Sequence, residues 1–212
     1  MTSAAGLPVA LALALLPAAG RTLVVEPGGP LDLAAAVAEA RDGDRIEVRG
    51  GVHPGPVVVE RVVELVGIGW PVIDGGGEGT VVRLAAPGIR MRGFVVRGTG
   101  ARNDLEDSGV LATGTVVLED NRLEDVLYGL NLKQAPDSVV ARNAIVGRDV
   151  EMPRRGDAIR LWESHGSRVE DNVVRGGRDV VLWYSEGIEV RGNDVRDARY
   201  GLHLMYTSGG TI

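Results

Sequence analysis

The sequence predicts an all-β chain folded as a single-stranded, right-handed parallel β-helix, a solenoid of stacked coils. Three observations predict it. Four segments align around an asparagine, Leu118–Asn121, Val140–Asn143, Val169–Asn172 and Val190–Asn193, with Asn-to-Asn spacings of 22, 29 and 21. A second short strand follows each one: Gly129-Leu-Asn-Leu-Lys133, Ala158-Ile-Arg-Leu-Trp162, Asp179-Val-Val-Leu-Trp183 and Gly201-Leu-His-Leu-Met205. The composition, with 31 Gly and 1 Phe in 212 residues, suits tight turns and narrow layers rather than a helical bundle with large core side chains. One coil alone cannot bury its apolar face. Stacking coils ~4.8 Å apart pairs each strand with those above and below and closes a common core.

Taken in order, residues 1–20 read as a signal peptide. Leu7 to Leu16 is apolar and uncharged, Ala18-Ala19-Gly20 offers small residues for cleavage, and the run is too short to span a bilayer comfortably. Met1 to Gly6 lacks the basic side chain that such leaders usually carry. Residues 21–212 form the β-helix domain. A capping helix is expected over Pro30 to Ala40, with Leu33, Val37 and Ala40 on one face, because an open solenoid end exposes core and unpaired edges. Ile46-Glu-Val48 then begins the coils, and Met91 aligns with Leu118 as a core residue. The repeated Asn fits a sharp bend in left-handed geometry, where its amides stack into a ladder. Two polar insertions, 99–109 and 147–156, interrupt the coils and border one face. Ile212 falls 22 residues beyond Val190, inside the next expected strand, so the C-terminal end is expected to be uncapped and the chain truncated.

The formal net charge of −6 gives no basic surface for nucleic acid. The absence of Cys excludes disulfides, thiolate metal sites and thiol nucleophiles.

Strand alternation sorts the side chains. With Leu130/Leu132, Ile159/Leu161, Val180/Leu182 and Leu202/Leu204 inward, one outward column is Asn131, Arg160, Val181, His203. The other is Lys133, Trp162, Trp183, Met205, with Tyr184 and Tyr206 next along. Stacked outward tryptophans mark a partner or ligand surface, unless a flanking loop folds over them. His203 and Met205, two apart on one face, offer imidazole and thioether, a soft pair suited to cuprous copper. Equally, His203 is an exposed histidine beside a methionine packed on Trp183. Met152, in the second insertion, is a third thioether if its loop folds back. His165 and His53 read as solvated turn residues, Asp157 and Asp179 as turn formers, and Glu170 and Arg191 as a surface ion pair. No Asp or Glu falls in the outward columns beside the tryptophans and no catalytic constellation is found, so a non-enzymatic role is expected. The alternative is a carbohydrate-binding or carbohydrate-modifying β-helix.

The run Gly156-Asp-Ala-Ile-Arg-Leu-Trp162, then Arg178-Asp-Val-Val-Leu-Trp-Tyr-Ser185, then Arg199-Tyr-Gly-Leu-His-Leu-Met-Tyr206 resembles the NosD family. Val72-Ile-Asp-Gly-Gly-Gly77 is similar too, although many β-helices share it. The resemblance implies a periplasmic accessory protein. It would work with an ATP-binding-cassette transporter, made of a membrane permease and a cytoplasmic ATPase, and with a copper chaperone. Its task would be to mature the copper–sulfur centre of nitrous oxide reductase. It also makes His203 and Met205 candidate copper contacts, and the Trp/Tyr column a docking surface.

Overall fold

The computed structural model describes residues 20–212. The predicted signal peptide, apart from Gly20, lies outside the described residues. Three parallel sheets of eight, seven and seven strands form the walls of a solenoid. Each coil gives one strand to each sheet in turn. In the first sheet the inward column runs Ile46, Leu65, Met91, Leu118, Val140, Val169, Val190, in direct register. In the second it runs His53, Ile73, Val96, Leu123, Ile145, Val174, Val195. The third sheet supplies two columns: Val57, Val82, Val110, Leu130, Ile159, Val180, Leu202, and Val59, Leu84, Ala112, Leu132, Leu161, Leu182, Leu204. Nearly all of these aliphatics are buried, and they make one continuous core.

The helix is shorter than the sequence suggests. It spans Leu33–Glu39, and Asp32, not Pro30, sets its start: the Asp32 carboxylate accepts the Ala35 N–H at 2.8 Å. Leu33 and Ala36 are buried under it. The stacking also begins earlier than Ile46, because strand Thr22–Val25 precedes the helix and pairs with Arg45–Arg49.

At the corner between the first and second sheets, the asparagines stack as a ladder. Asn121 Nδ2 donates to Asn143 Oδ1 at 3.2 Å, Asn143 to Asn172 at 3.0 Å, and Asn172 to Asn193 at 2.9 Å. Each Oδ1 also accepts the backbone N–H of the Asn one coil before. The left-handed residue is not the asparagine itself. It is the residue before it: Asp120 (φ 55°), Arg142 (55°), Asp171 (53°) and Gly192 (65°). That residue takes the strain and turns outward, which leaves the Asn side chain inside to bridge coils. Two serine ladders do the same elsewhere. Ser164 and Ser185 each receive a backbone N–H from the coil before, from Ala135 and Ser164, and so do Ser138 and Ser167, from Val116 and Ser138.

His53 is a further correction. It lies in strand Val52–Pro54 and is buried at the top of an inward column, with Nε2 2.9 Å from the Gly50 carbonyl. Its position before Pro54 suggested a turn, but the strand alternation places it inside. Glu170 and Arg191 do pair, at 2.8 Å. At the last coil Leu204 is 47% exposed although its column is inward, because no described strand lies over it.

Replacing Asn143 with Ala removes donated bonds to the Leu118 and Ala141 carbonyls and to Asn172, and leaves the Asn121 backbone N–H without its acceptor, while Asn121 Nδ2 keeps the Met91 and Glu119 carbonyls. We expect Asn143→Ala to destabilise the fold by about 3 kcal/mol, read from urea denaturation.

Candidate functional site

The third sheet carries the aromatic and soft side chains. Its outward columns stand in register as Asn131, Arg160, Val181, His203 and as Lys133, Trp162, Trp183, Met205. These columns are not open to solvent along their length. Asn131 and Val181 are buried, and Trp162 and Trp183 are half-buried. The reason is the insertion 99–109, which folds over the face. Glu106, in a left-handed turn (φ 53°), drops its carboxylate onto the outward column. It accepts from Arg160 at 2.7 Å and from Asn131 at 3.2 Å, and its other ion pair is with Lys133 at 2.6 Å. Sequence alternation placed no carboxylate on this face. A carboxylate comes there from outside the strands, and only the insertion's composition could have hinted at it.

Arg160 lies over the Trp183 ring at 4.9 Å, a cation–π contact in a partly desolvated setting. The ridge continues outward from Trp183. Tyr184 stacks on Trp183 at 5.8 Å and on Tyr206 at 4.7 Å, the two tyrosine rings being nearly parallel at 6°. Tyr184 and Tyr206 occupy the corner after the third sheet with φ 49° and 51°, in line with Gln134 and Glu163 in earlier coils. The next residue in the last three of these coils is Ser164, Ser185 or Thr207, each turned in to bond backbone. The corner therefore drives the preceding side chain outward. Tyr184 is 44% and Tyr206 73% exposed.

His203 is held from one side. Asp179, fully buried, accepts from Arg199 at 2.8 Å and from the Tyr200 N–H at 2.6 Å. Asp179 is thus not a simple turn former: it fixes the strand entry and aims Arg199. The Arg199 guanidinium then lies 3.2 Å from His203 Nδ1. Arginine only donates, so Nδ1 accepts and the proton of the neutral ring sits on Nε2. Tyr200 packs its edge on the ring at 5.2 Å. Met205 stands two residues on, in register with Trp183. Met152 opens a short 3-10 turn, Met152–Arg154, in the other insertion, whose Arg155 is anchored on Asp197. Among the described residues no cluster of three or more His, Cys, Asp or Glu is arranged to hold a metal. The donor set on the strand is one imidazole and one thioether, a type that suits cuprous ion. His165 is exposed, and its Nδ1 accepts the Glu186 N–H.

Every buried side-chain polar atom without a hydrogen bond among the described residues lies on three coils of this sheet or at its entry: Asn131 Oδ1, Arg160 Nε, Trp183 Nε1, and Asp157 Oδ1 and Arg178 Nε, which face each other as an ion pair at 3.8 Å. Buried polar groups are ordinarily hydrogen-bonded, so this cluster sets the face apart from the rest of the fold. Burial pushes the Asp157 carboxyl up, against the pull of Arg160 and Arg178.

Comparison with known proteins bears on this same stretch. A family model described as "Periplasmic copper-binding protein (NosD)" matches residues 141–212. A protein of Pseudomonas aeruginosa named "Probable ABC transporter binding protein NosD" is 30% identical over 178 residues. The chain is of the NosD type. The protein of the same name from Stutzerimonas stutzeri is 28% identical over 143 residues. These alignments take in 76% and 65% of this chain but 40% and 33% of the two relatives, so this NosD-type chain spans less than half their length. The matched region holds the ridge from Trp162 to Met205 and the asparagines from Asn143 on.

Burial works against the Glu106 charge, but the Lys133 hydrogen bond, the Arg160 charge and Asn131 outweigh it and hold the carboxyl below the usual range. A depressed folded-state value stabilises the loop above the ordinary glutamate pKa of about 4.3, and that contribution disappears as pH falls through the lowered value. Backbone hydrogen exchange over 101–107, corrected for intrinsic pH effects, is expected to speed up over that acid range in the parent. In Glu106→Gln it should already be fast at neutral pH.

Proposed function

We propose that this chain is the copper-handling β-helix of a periplasmic NosD-type system. In this reading it works with an ABC transporter, made of a permease and an ATPase, and with a copper chaperone, in maturing the copper–sulfur centre of nitrous oxide reductase. The observation that carries the reading is the in-register ridge Trp162, Trp183, Met205 beside His203, lying inside the segment that matches the family. The names of the relatives support the transporter link, and the family's description supports copper and the periplasm. Residues 1–20 are the proposed export signal.

Each side chain has a part in the proposal. Trp162, Trp183, Tyr184 and Tyr206 form the docking ridge, and the two tyrosines supply its exposed end. Large flat rings fixed by stacking lose little entropy when a partner covers them. His203 and Met205 receive cuprous ion as cargo, with imidazole and thioether as soft donors. Arg199 already holds Nδ1, so copper entering there displaces the guanidinium, and copper entering at Nε2 sends that proton to Nδ1, which the guanidinium must likewise vacate. Both routes make loading conditional, as suits a carrier that must also release. Met152 is the proposed third donor, brought by movement of its loop.

Two experiments test the reading. Cuprous ion is titrated against a chromophoric chelator into the parent and into His203→Ala/Met205→Ala. The double variant is expected to bind about tenfold more weakly or worse, and equal affinity would remove both residues from the site. Separately, Tyr206→Ala should leave the melting temperature within a degree or two and weaken capture of the cognate permease–ATPase complex. Unaltered capture would take the ridge out of docking.

A further inference from the structure

We propose that the outer face of the third sheet contains a carboxylate-binding cradle. Asn131, Lys133 and Arg160, backed by Trp183, take an acidic side chain of a partner protein where Glu106 now sits. This inference does not depend on copper or on which transporter docks.

The seat is built for a carboxylate. Glu106 reaches it from a loop and receives an arginine, a lysine and an amide at 2.7, 2.6 and 3.2 Å. Asn131 is 1% exposed and its Nδ2 is further steadied by the Ser108 hydroxyl at 3.3 Å. Arg160 is held in place by the Trp183 ring beneath its guanidinium. These donors are positioned by strands of a rigid stack, whereas the acceptor comes from an insertion.

The tip of that insertion is lightly attached, although Thr99, Asp107 and Ser108 at its base are buried. Ala101 to Leu105 are all exposed, Leu105 by 58%. Between Ala101 and Leu105 the polar side-chain links are the pair of Arg102 with Asp107 and one bond from Asn103 to the Arg154 carbonyl. Segments with few apolar contacts open at low free-energy cost. When Glu106 leaves, two cations face outward with no counter-ion of their own.

Glu106 also fills the seat incompletely. Arg160 offers five N–H donors in a fork, yet gives Glu106 one of them, and its Nε stays buried without a hydrogen-bond acceptor, as does Trp183 Nε1. A carboxylate arriving from outside can take the fork two-pronged. Charge favours the same partner. Lys133, Arg160, Arg178 and Arg199 gather on this face of a chain whose formal net charge is −6. Against them stand Glu106, Asp157 and Asp179, and burial pushes Asp157 toward its neutral form. An acidic segment is thus steered here and repelled over most of the remaining surface.

The test uses hexaglutamate as probe and hexalysine as control, at low salt. Glu106→Gln removes both ion pairs of the loop tip with Arg160 and Lys133, and with them the built-in competitor. It is expected to bind hexaglutamate about tenfold more tightly than the parent, and Glu106→Gln/Lys133→Gln is expected to lose that gain. Equal binding by parent and Glu106→Gln, or a gain that survives in the double variant, overturns the cradle. A measurement on the parent alone guards against misfolded variants. Excess hexaglutamate, and not hexalysine, should speed hydrogen exchange at 101–107 by displacing Glu106. Unchanged exchange, or equal acceleration by hexalysine, overturns it as well.

Discussion

The amide ladder of Asn121, Asn143, Asn172 and Asn193 holds one coil over the next with no freedom to slide. Each side chain bonds the backbone and the amide of its neighbour in the stack. A slip by one residue would turn every inward aliphatic to solvent and every charged outward residue into the core. The ladder, with the serine ladders at other corners, makes that slip costly at several points of the later coils, from Phe94 on. Everything useful on the outer faces follows from it. A residue's height on the third sheet is set by which coil it belongs to, so Trp162, Trp183 and Met205 lie above one another although they are far apart in the chain.

Much of this was legible in the sequence. The Asn repeat gave the period, and the aliphatic pair in each second strand told inside from outside, down to Met91 beneath Leu118. What escaped was whatever did not obey the repeat. The left-handed corner residue was misplaced by one position, because asparagine's tolerance of that geometry is a local argument and the observed choice is tertiary. The inner side needs the amide, so the preceding residue takes the turn. His53 looked like a turn residue from its neighbouring proline, and alternation buried it. Most consequential was Glu106, whose contacts lie 25 to 54 residues away in sequence. No periodicity carries that information, since an insertion is by definition the part that the repeat does not constrain.

The outer face of the third sheet therefore has two kinds of component. The strands supply fixed donors and rings. The insertions supply side chains that rest upon them: Glu106 on Asn131, Lys133 and Arg160, and Asn103 tying one insertion to the other through the Arg154 carbonyl. Near the last coil the logic reverses. Asp179 is part of the strand and buried, and it anchors Arg199, which in turn holds the histidine. The imidazole at that point is preset as an acceptor at Nδ1, which makes its availability to a metal a matter of arginine position rather than of protonation alone.

The left-handed corner after the third sheet has a broader consequence. Gln134, Glu163, Tyr184 and Tyr206 put three kinds of side chain on the same backbone post, coil after coil. The post is secured from within by the residue that follows it, so whatever stands on it plays no part in the interior packing. Such a stack behaves like a rack with interchangeable fittings: a row of amide, acid and phenol can be re-dressed one rung at a time while the frame keeps its shape. Recognition can diverge along this edge without being limited by the demands of folding.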